Sequence, residues 1–133
     1  MTFIPASDVA RDALEWGELG WIARPANVPE SASMTAIEAI LEPGQGHDFH
    51  KHPNQDEIIH VVSGTVEQWI GEECRTMTSG DSCFVPKNTV HASFVAVDGT
   101  PARLFVVLSP SHGEGGYEAV EVSTEAPWST LRA

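Results

Sequence analysis

Turn signals cut this chain into pieces too short for helices. From Pro43 onward they recur every few residues: Pro43-Gly44-Gln45-Gly46, Pro53-Asn54, Ser63-Gly64, Gly71-Glu72, Thr78-Ser79-Gly80, Pro86-Lys87-Asn88 and Asp98-Gly99-Thr100-Pro101. The runs between them, such as Glu57–Val62 and Ala102–Leu108, are rich in β-branched and aromatic side chains. Glycine and proline stop regular structure, and branched side chains suit a pleated strand. Roughly nine to eleven short strands predict an all-β, antiparallel barrel or jelly roll. The length of 133 residues suits one domain with a real core. Its expected parts are an N-terminal arm (about 1–32), a barrel core (about 33–110) and a C-terminal strand and tail (about 111–133).

Local signals sharpen this outline. Asp8 is placed to cap a short helical turn, and Trp16–Arg24 reads as a hairpin with its glycines at the bend. Ser33–Leu41 and Tyr117–Val122 read as strands. A two-residue turn at Ser63-Gly64 would pair Val61 with Val66, Ile59 with Gln68 and Glu57 with Ile70. Asp98–Pro101 is a further hairpin signal.

The chemistry concentrates in GQGHDFHKHPNQDEIIHVVSG, residues 44–64, which holds His47, His50, His52 and His60. His50 and His52 are two apart, and residues i and i+2 of a strand share a face. Glu57 opens the next strand and can bring a carboxylate to the same point. Two imidazoles and a carboxylate suit a divalent transition ion: Fe, Mn, Ni, Zn, Co or Cu. His91 is the other histidine in a strand-like run and supplies a fourth group.

The spacing Gly44-x5-His50-x-His52-x4-Glu57-x6-Gly64 resembles the first motif of the cupin superfamily at every position. Gly80-x5-Pro86-x-Asn88-x2-His91 resembles the second, with Asn88 where the family has glycine and Val95 where it has asparagine. The resemblance implies a small single-domain cupin, folded as an antiparallel double-stranded β-helix (the jelly-roll or cupin barrel). It implies one divalent transition metal per chain on His50, His52, Glu57 and His91, with open positions for water or substrate. It also implies a homodimer in which N-terminal strands pack across the partner. The expected function is a small metal-dependent enzyme of dioxygenase, isomerase or lyase class acting on a small oxygenated molecule, with Glu57 the candidate catalytic group. An oxidoreductase falls within this range. The alternative is a non-catalytic cupin that binds a metal or small ligand, or acts as a sensor.

Other residues carry two readings each. His47 is either a pocket acid/base or a solvated loop residue. Parity sets it opposite His50 if the strand is regular there. Gln68 faces inward by the hairpin register, as a substrate-pocket group or as a buried amide satisfied by neighbours. His60 faces outward, packed at a sheet or subunit interface rather than ligating. Gln55 and Asp56 read as turn residues. Phe49, Phe84, Phe94, Phe105 and Trp69 read as barrel wall and core, and Trp16, Trp21 and Trp128 as packing or dimer contacts. Arg24, Arg75 and Arg103 are scattered, and one of them could reach the pocket.

Nineteen acidic residues against seven basic give a net charge of −12. That opposes binding to nucleic acid or to anionic membranes, both of which need basic surface. The N-terminal residues lack a basic region followed by an apolar run, so a cytoplasmic protein is expected. Cys74 and Cys83 match no redox or zinc spacing and are expected as free thiols, on strands close enough to be adjacent.

Overall fold

The computed structural model describes residues 2–132. Eleven strands follow in order: β1 (Ala10–Leu14), β2 (Gly17–Ala23), β3 (Thr35–Leu41), β4 (Gly46–Lys51), β5 (Asp56–Ser63), β6 (Thr65–Ile70), β7 (Glu73–Thr78), β8 (Ser82–Val85), β9 (His91–Phe94), β10 (Ala102–Ser109) and β11 (Val120–Glu121). They form two antiparallel sheets. The first has the order β1-β2-β3-β10-β5-β8 and the second β11-β4-β9-β6-β7. This is the jelly roll the turn spacing predicts.

Alternation builds the interior. Ile37, Ala39 and Leu41 of β3, Ile59 and Val61 of β5, Val66 of β6 and Leu104, Val106 and Leu108 of β10 are buried together between the sheets. A smaller cluster of Phe49, Ala92, Phe94 and Val122, with Trp69, Trp128 and Leu131 against it, covers the outer face of the second sheet. Arg132 closes it, stacking over Phe94 and pairing with Glu67 at 2.6 Å. Phe84 and Phe105, expected in the core, are instead exposed on the outer face of the first sheet beside Ile58. In a two-sheet barrel half of each strand must face out, and parity assigns those three to that side.

Three turn readings change. The Ser63-Gly64 hairpin does not form: β5 pairs with β10 and β8, and β6 with β9 and β7. Gly64, at φ 89°, instead carries the chain from one sheet to the other. The predicted pairs Val61–Val66, Ile59–Gln68 and Glu57–Ile70 are therefore absent, although parity still turns Gln68 inward. Asp98–Pro101 is likewise a crossover, leading from β9 in the second sheet to β10 in the first. At the N-terminus, the bend lies at Glu15-Trp16, and Gly17–Ala23 is one strand. Gly20 sits within it because Arg11 occupies its side-chain space: a Cβ there would stand 2.9 Å from the guanidinium. Asp8 ends the 3-10 turn Ala6–Asp8 and caps nothing.

Gly64 gives a direct test of the crossover. A Cβ at this position would meet the Pro101 carbonyl at 2.6 Å and Ala102 Cα at 2.7 Å, in a left-handed conformation. Gly64→Ala is expected to lower unfolding free energy by at least about 2 kcal/mol. Urea unfolding measures this, and an unchanged midpoint would contradict the crossover geometry.

Candidate metal centre

Strands β4 and β9 are neighbours, and their register sets His50 directly opposite His91. His52 follows β4 at once, and Glu57 enters from β5 in the other sheet. All four side chains are buried. One nitrogen each from His50, His52 and His91 lies within 4.8 Å of the others. Glu57 Oε1 stands 2.7 Å from His91 Nε2 and 3.5 Å from His52 Nε2.

The backbone fixes what these rings offer. His50 Nδ1 meets Asp48 O at 2.7 Å, His52 Nδ1 meets Glu118 O at 2.7 Å and His91 Nδ1 meets Thr89 O at 2.9 Å. A carbonyl only accepts, so each Nδ1 carries the proton and donates it. In the neutral ring Nε2 is then a lone pair. His52 Nε2, His91 Nε2 and Glu57 Oε1 are buried with no well-formed hydrogen bond. Two lone pairs facing each other at 2.7 Å require a cation or a proton between them. Outer carbonyls that hold each ring, with converging bare nitrogens, are the arrangement of a metal site. The residues fit a divalent transition ion.

The charges agree with this. Burial alone would raise the Glu57 carboxyl, but the facing His91 and His52 rings outweigh it and hold it at about 2. Burial, then the neighbouring His91, His47 and His52, push His50 far below the ordinary imidazole range, so it is neutral.

His47 is not a solvated loop residue. Four residues of β4 (His47 to His50) oppose three of β9 (Ser93 to His91), so β4 carries a β-bulge. The bulge breaks parity and turns His47 onto the His50 side. The His47 ring stacks on His50 at 3.4 Å and under Trp16 at 4.0 Å, and its Nε2 meets Glu121 Oε1 at 2.7 Å. His47, His50 and Glu121 form a second group of metal-ligating type, but His50 is common to both. The orphaned atoms belong to the first.

A pocket of about 50 Å³ opens over the histidines. Its wall is Leu19, Ile37, Ala39, Leu41, Ile59 and other aliphatic side chains, with His47, Trp16, Tyr117 and Ser93 around them. No Lys or Arg lines it among the described residues. Arg24 stacks on Trp21, and Arg75 pairs with Glu73 in solvent. Gln68 is buried outside this pocket. It accepts from Ser93 Oγ at 2.6 Å and donates to Trp69 O at 3.1 Å, the satisfied-amide alternative.

Trp16, which reads in sequence as a packing or dimer contact, and Tyr117 both line the pocket. Trp16 enters through the short β1–β2 turn. Tyr117 packs edge-on to His52 at 5.1 Å, and burial, then Glu57 and Glu121, push its phenol up, so it holds its proton. His60 is bonded to Ser82 Oγ at 2.7 Å on the outer face. His112 meets Glu118 at 3.2 Å. The cysteines are free, with Cys74 on the second sheet and Cys83 on the first, so they are not on adjacent strands. Burial pushes the Cys83 thiol up to about 11. No helix among the described residues is long and apolar enough to cross a membrane.

Two antiparallel sheets closing over three converging imidazoles and a carboxylate define a jelly-roll barrel with a candidate metal centre. The sequence model of the Cupin domain matches residues 37–108, more than half of the chain, and the chain belongs to the cupin family. It is similar to the polyketide synthase CurC of Streptomyces cyaneus, 28% identical over 111 residues, 84% of this chain and 70% of that protein. In structure it resembles the polyketide cyclase RemF of Streptomyces resistomycificus, with a TM-score of 0.75 at 14% identity, covering 100% of this chain and 94% of the other. KdgF from Halomonas sp. superposes with a TM-score of 0.71 at 20% identity, over 84% of this chain and 96% of that one.

Proposed function

We propose that this cupin is a metal-dependent enzyme that enolises a carbonyl group on an otherwise apolar molecule, the chemistry needed to cyclise a polyketide. The observation that carries the reading is the apolar, cation-free wall around bare imidazole nitrogens. A small carboxylate or sugar acid entering there would exchange water for aliphatic carbon, with no Lys or Arg and only the ion to balance its charge. An apolar body with carbonyl oxygens loses little. The free space of about 50 Å³ admits the reacting carbonyl segment, with the remainder of the molecule at the Trp16 and Tyr117 rim. Resemblance to a polyketide synthase protein and a polyketide cyclase supports the substrate class.

His50, His52, His91 and Glu57 would hold the ion. A divalent ion bound there supplies Lewis-acid polarisation of a carbonyl oxygen. The aliphatic wall excludes water from the reacting segment. Tyr117, still protonated, donates a hydrogen bond to a substrate oxygen, and Glu57 would leave the ion to accept the α-proton.

The test is α-carbon exchange of a small β-diketone in D2O, followed by NMR with Zn(II)- or Co(II)-loaded protein. Exchange beyond one equivalent per chain, above buffer and free metal and absent in His91→Ala, is the expected outcome. Saturation near one ligand per chain without exchange would instead favour the non-catalytic, ligand-binding cupin. We also propose the homodimer, with exposed Phe84, Phe105 and Ile58 of the first sheet as its apolar contact. Light scattering is expected to give a dimer for wild type and a shift toward monomer for Phe84→Glu. A wild-type mass of 14.3 kDa would refute it.

A further inference from the structure

Gln55 follows the turn after His52 and reads in sequence as an ordinary loop residue. It is among the most deeply buried polar residues, at 1% exposure. Its carboxamide makes three hydrogen bonds, all to one distant loop between β10 and β11. Nε2 donates to Pro110 O at 2.7 Å and to Gly116 O at 2.9 Å, and Oε1 accepts from Glu118 N at 3.2 Å. Glu118 is the same residue whose carbonyl accepts from His52 Nδ1. Glu118 is therefore held at its N–H by Gln55 and at its carbonyl by His52. Tyr117, one residue earlier, lies against the His52 ring. Thr35 Oγ1 adds a further bond to the loop, donating to Gly116 O at 2.7 Å.

A burial this complete needs every polar atom used, and here the partners are all backbone groups of a segment with only two residues of strand. Packing of Tyr117 on Trp21 and the barrel core anchors the loop as a whole. The metal centre asks more of Glu118, because His52 keeps its bare Nε2 only while Glu118 O holds the Nδ1 proton. We propose that Gln55 is a positioning residue of the metal centre, acting through the Glu118 backbone to set the tautomer and orientation of His52. The inference rests on the metal-dependent reading above.

Full-length Gln55→Leu and Gly116→Ala test it by two routes. The first removes all three bonds. The second pushes the same loop from its other side, since a Cβ on Gly116 at φ 74° would collide with Thr35 Oγ1 and meet Arg24 Cβ at 2.7 Å. Should Gln55→Leu fail to fold, Gly116→Ala still decides the question. In metal-free protein, 15N NMR is expected to show His52 as the Nδ1–H tautomer in wild type and a mixture in the variants. Chelator competition with Co(II) is expected to show affinity about 10–100-fold weaker, with an altered visible spectrum. Affinity within twofold of wild type, an unchanged spectrum and an unchanged His52 tautomer would overturn the proposal. A tautomer change in protein that takes no Co(II) even as wild type would uphold the Gln55 contact and overturn the metal reading instead.

Discussion

Replacing His91 with alanine is expected to empty the site. Wild-type protein loaded with Co(II) or Zn(II) should retain about one ion per chain through gel filtration, and His91→Ala or the His52→Ala/His91→Ala double variant none. The expectation follows from position. His91 is the ring closest to Glu57, at 2.7 Å, and it faces His50 across the β4–β9 pair. Without it, two imidazoles remain, with the carboxylate 3.5 Å from His52 Nε2. Removing an outer partner of a ligand costs roughly 10–100-fold in affinity, and removing the ligand itself costs more. The variant also leaves Glu57 buried with one ring of its pair missing, so the metal-free fold should weaken. Undiminished metal content in the double variant would mean that the ion binds elsewhere.

Metal affinity should also fall steeply with acid. In the metal-free chain burial pulls His91 down, but the Glu57 carboxylate outweighs burial and raises it above its ordinary value of 6.5. Glu57 itself is lowered from 4.5 to about 2. Between these limits the pair is charged, with a proton on His91 Nε2 filling the gap. Glu57 therefore contributes stability that is complete above its unfolded value of 4.5 and lost as pH falls toward 2. His91 contributes stability that is complete below 6.5 and lost as pH rises through its raised folded value. An incoming ion must displace that same proton. One proton released per ion makes affinity drop about tenfold for each pH unit below the His91 titration. Chelator competition at several pH values, with an indicator dye counting protons, measures it. A flat profile would mean that His91 does not ligate.

The residues that are close together in sequence were the legible ones. The i, i+2 relation of His50 and His52, the carboxylate five residues on and the turn before His91 all follow from strand parity and punctuation. Asn88 adopts φ 62°, the left-handed turn expected of an asparagine in a glycine position. Sheet membership was not legible. A hairpin and a sheet-to-sheet crossover share the same Gly-rich signal, so β5 and β6 looked paired when they are not. The bulge that turns His47 onto His50 adds one residue without marking the sequence. Trp16 and Tyr117 reach the site from the β1–β2 turn and the segment before β11, and the Gln55 side chain bonds to the loop that carries Tyr117 and Glu118. Their roles depend on contacts across tens of residues, which no local pattern carries.

The histidines sit on the second sheet and Glu57 on the first, so coordination would rivet the two halves of the sandwich at one point. A rivet of this kind makes the lifetime of the fold a function of the surroundings. Each tenfold rise in free ion above its dissociation constant adds about 1.4 kcal/mol to the folded state. Where the ion is scarce, the sheets are held only by side-chain packing and the Glu57–His91 pair. Proteolytic turnover would then report on metal supply, and the amount of protein present would follow the ion it uses.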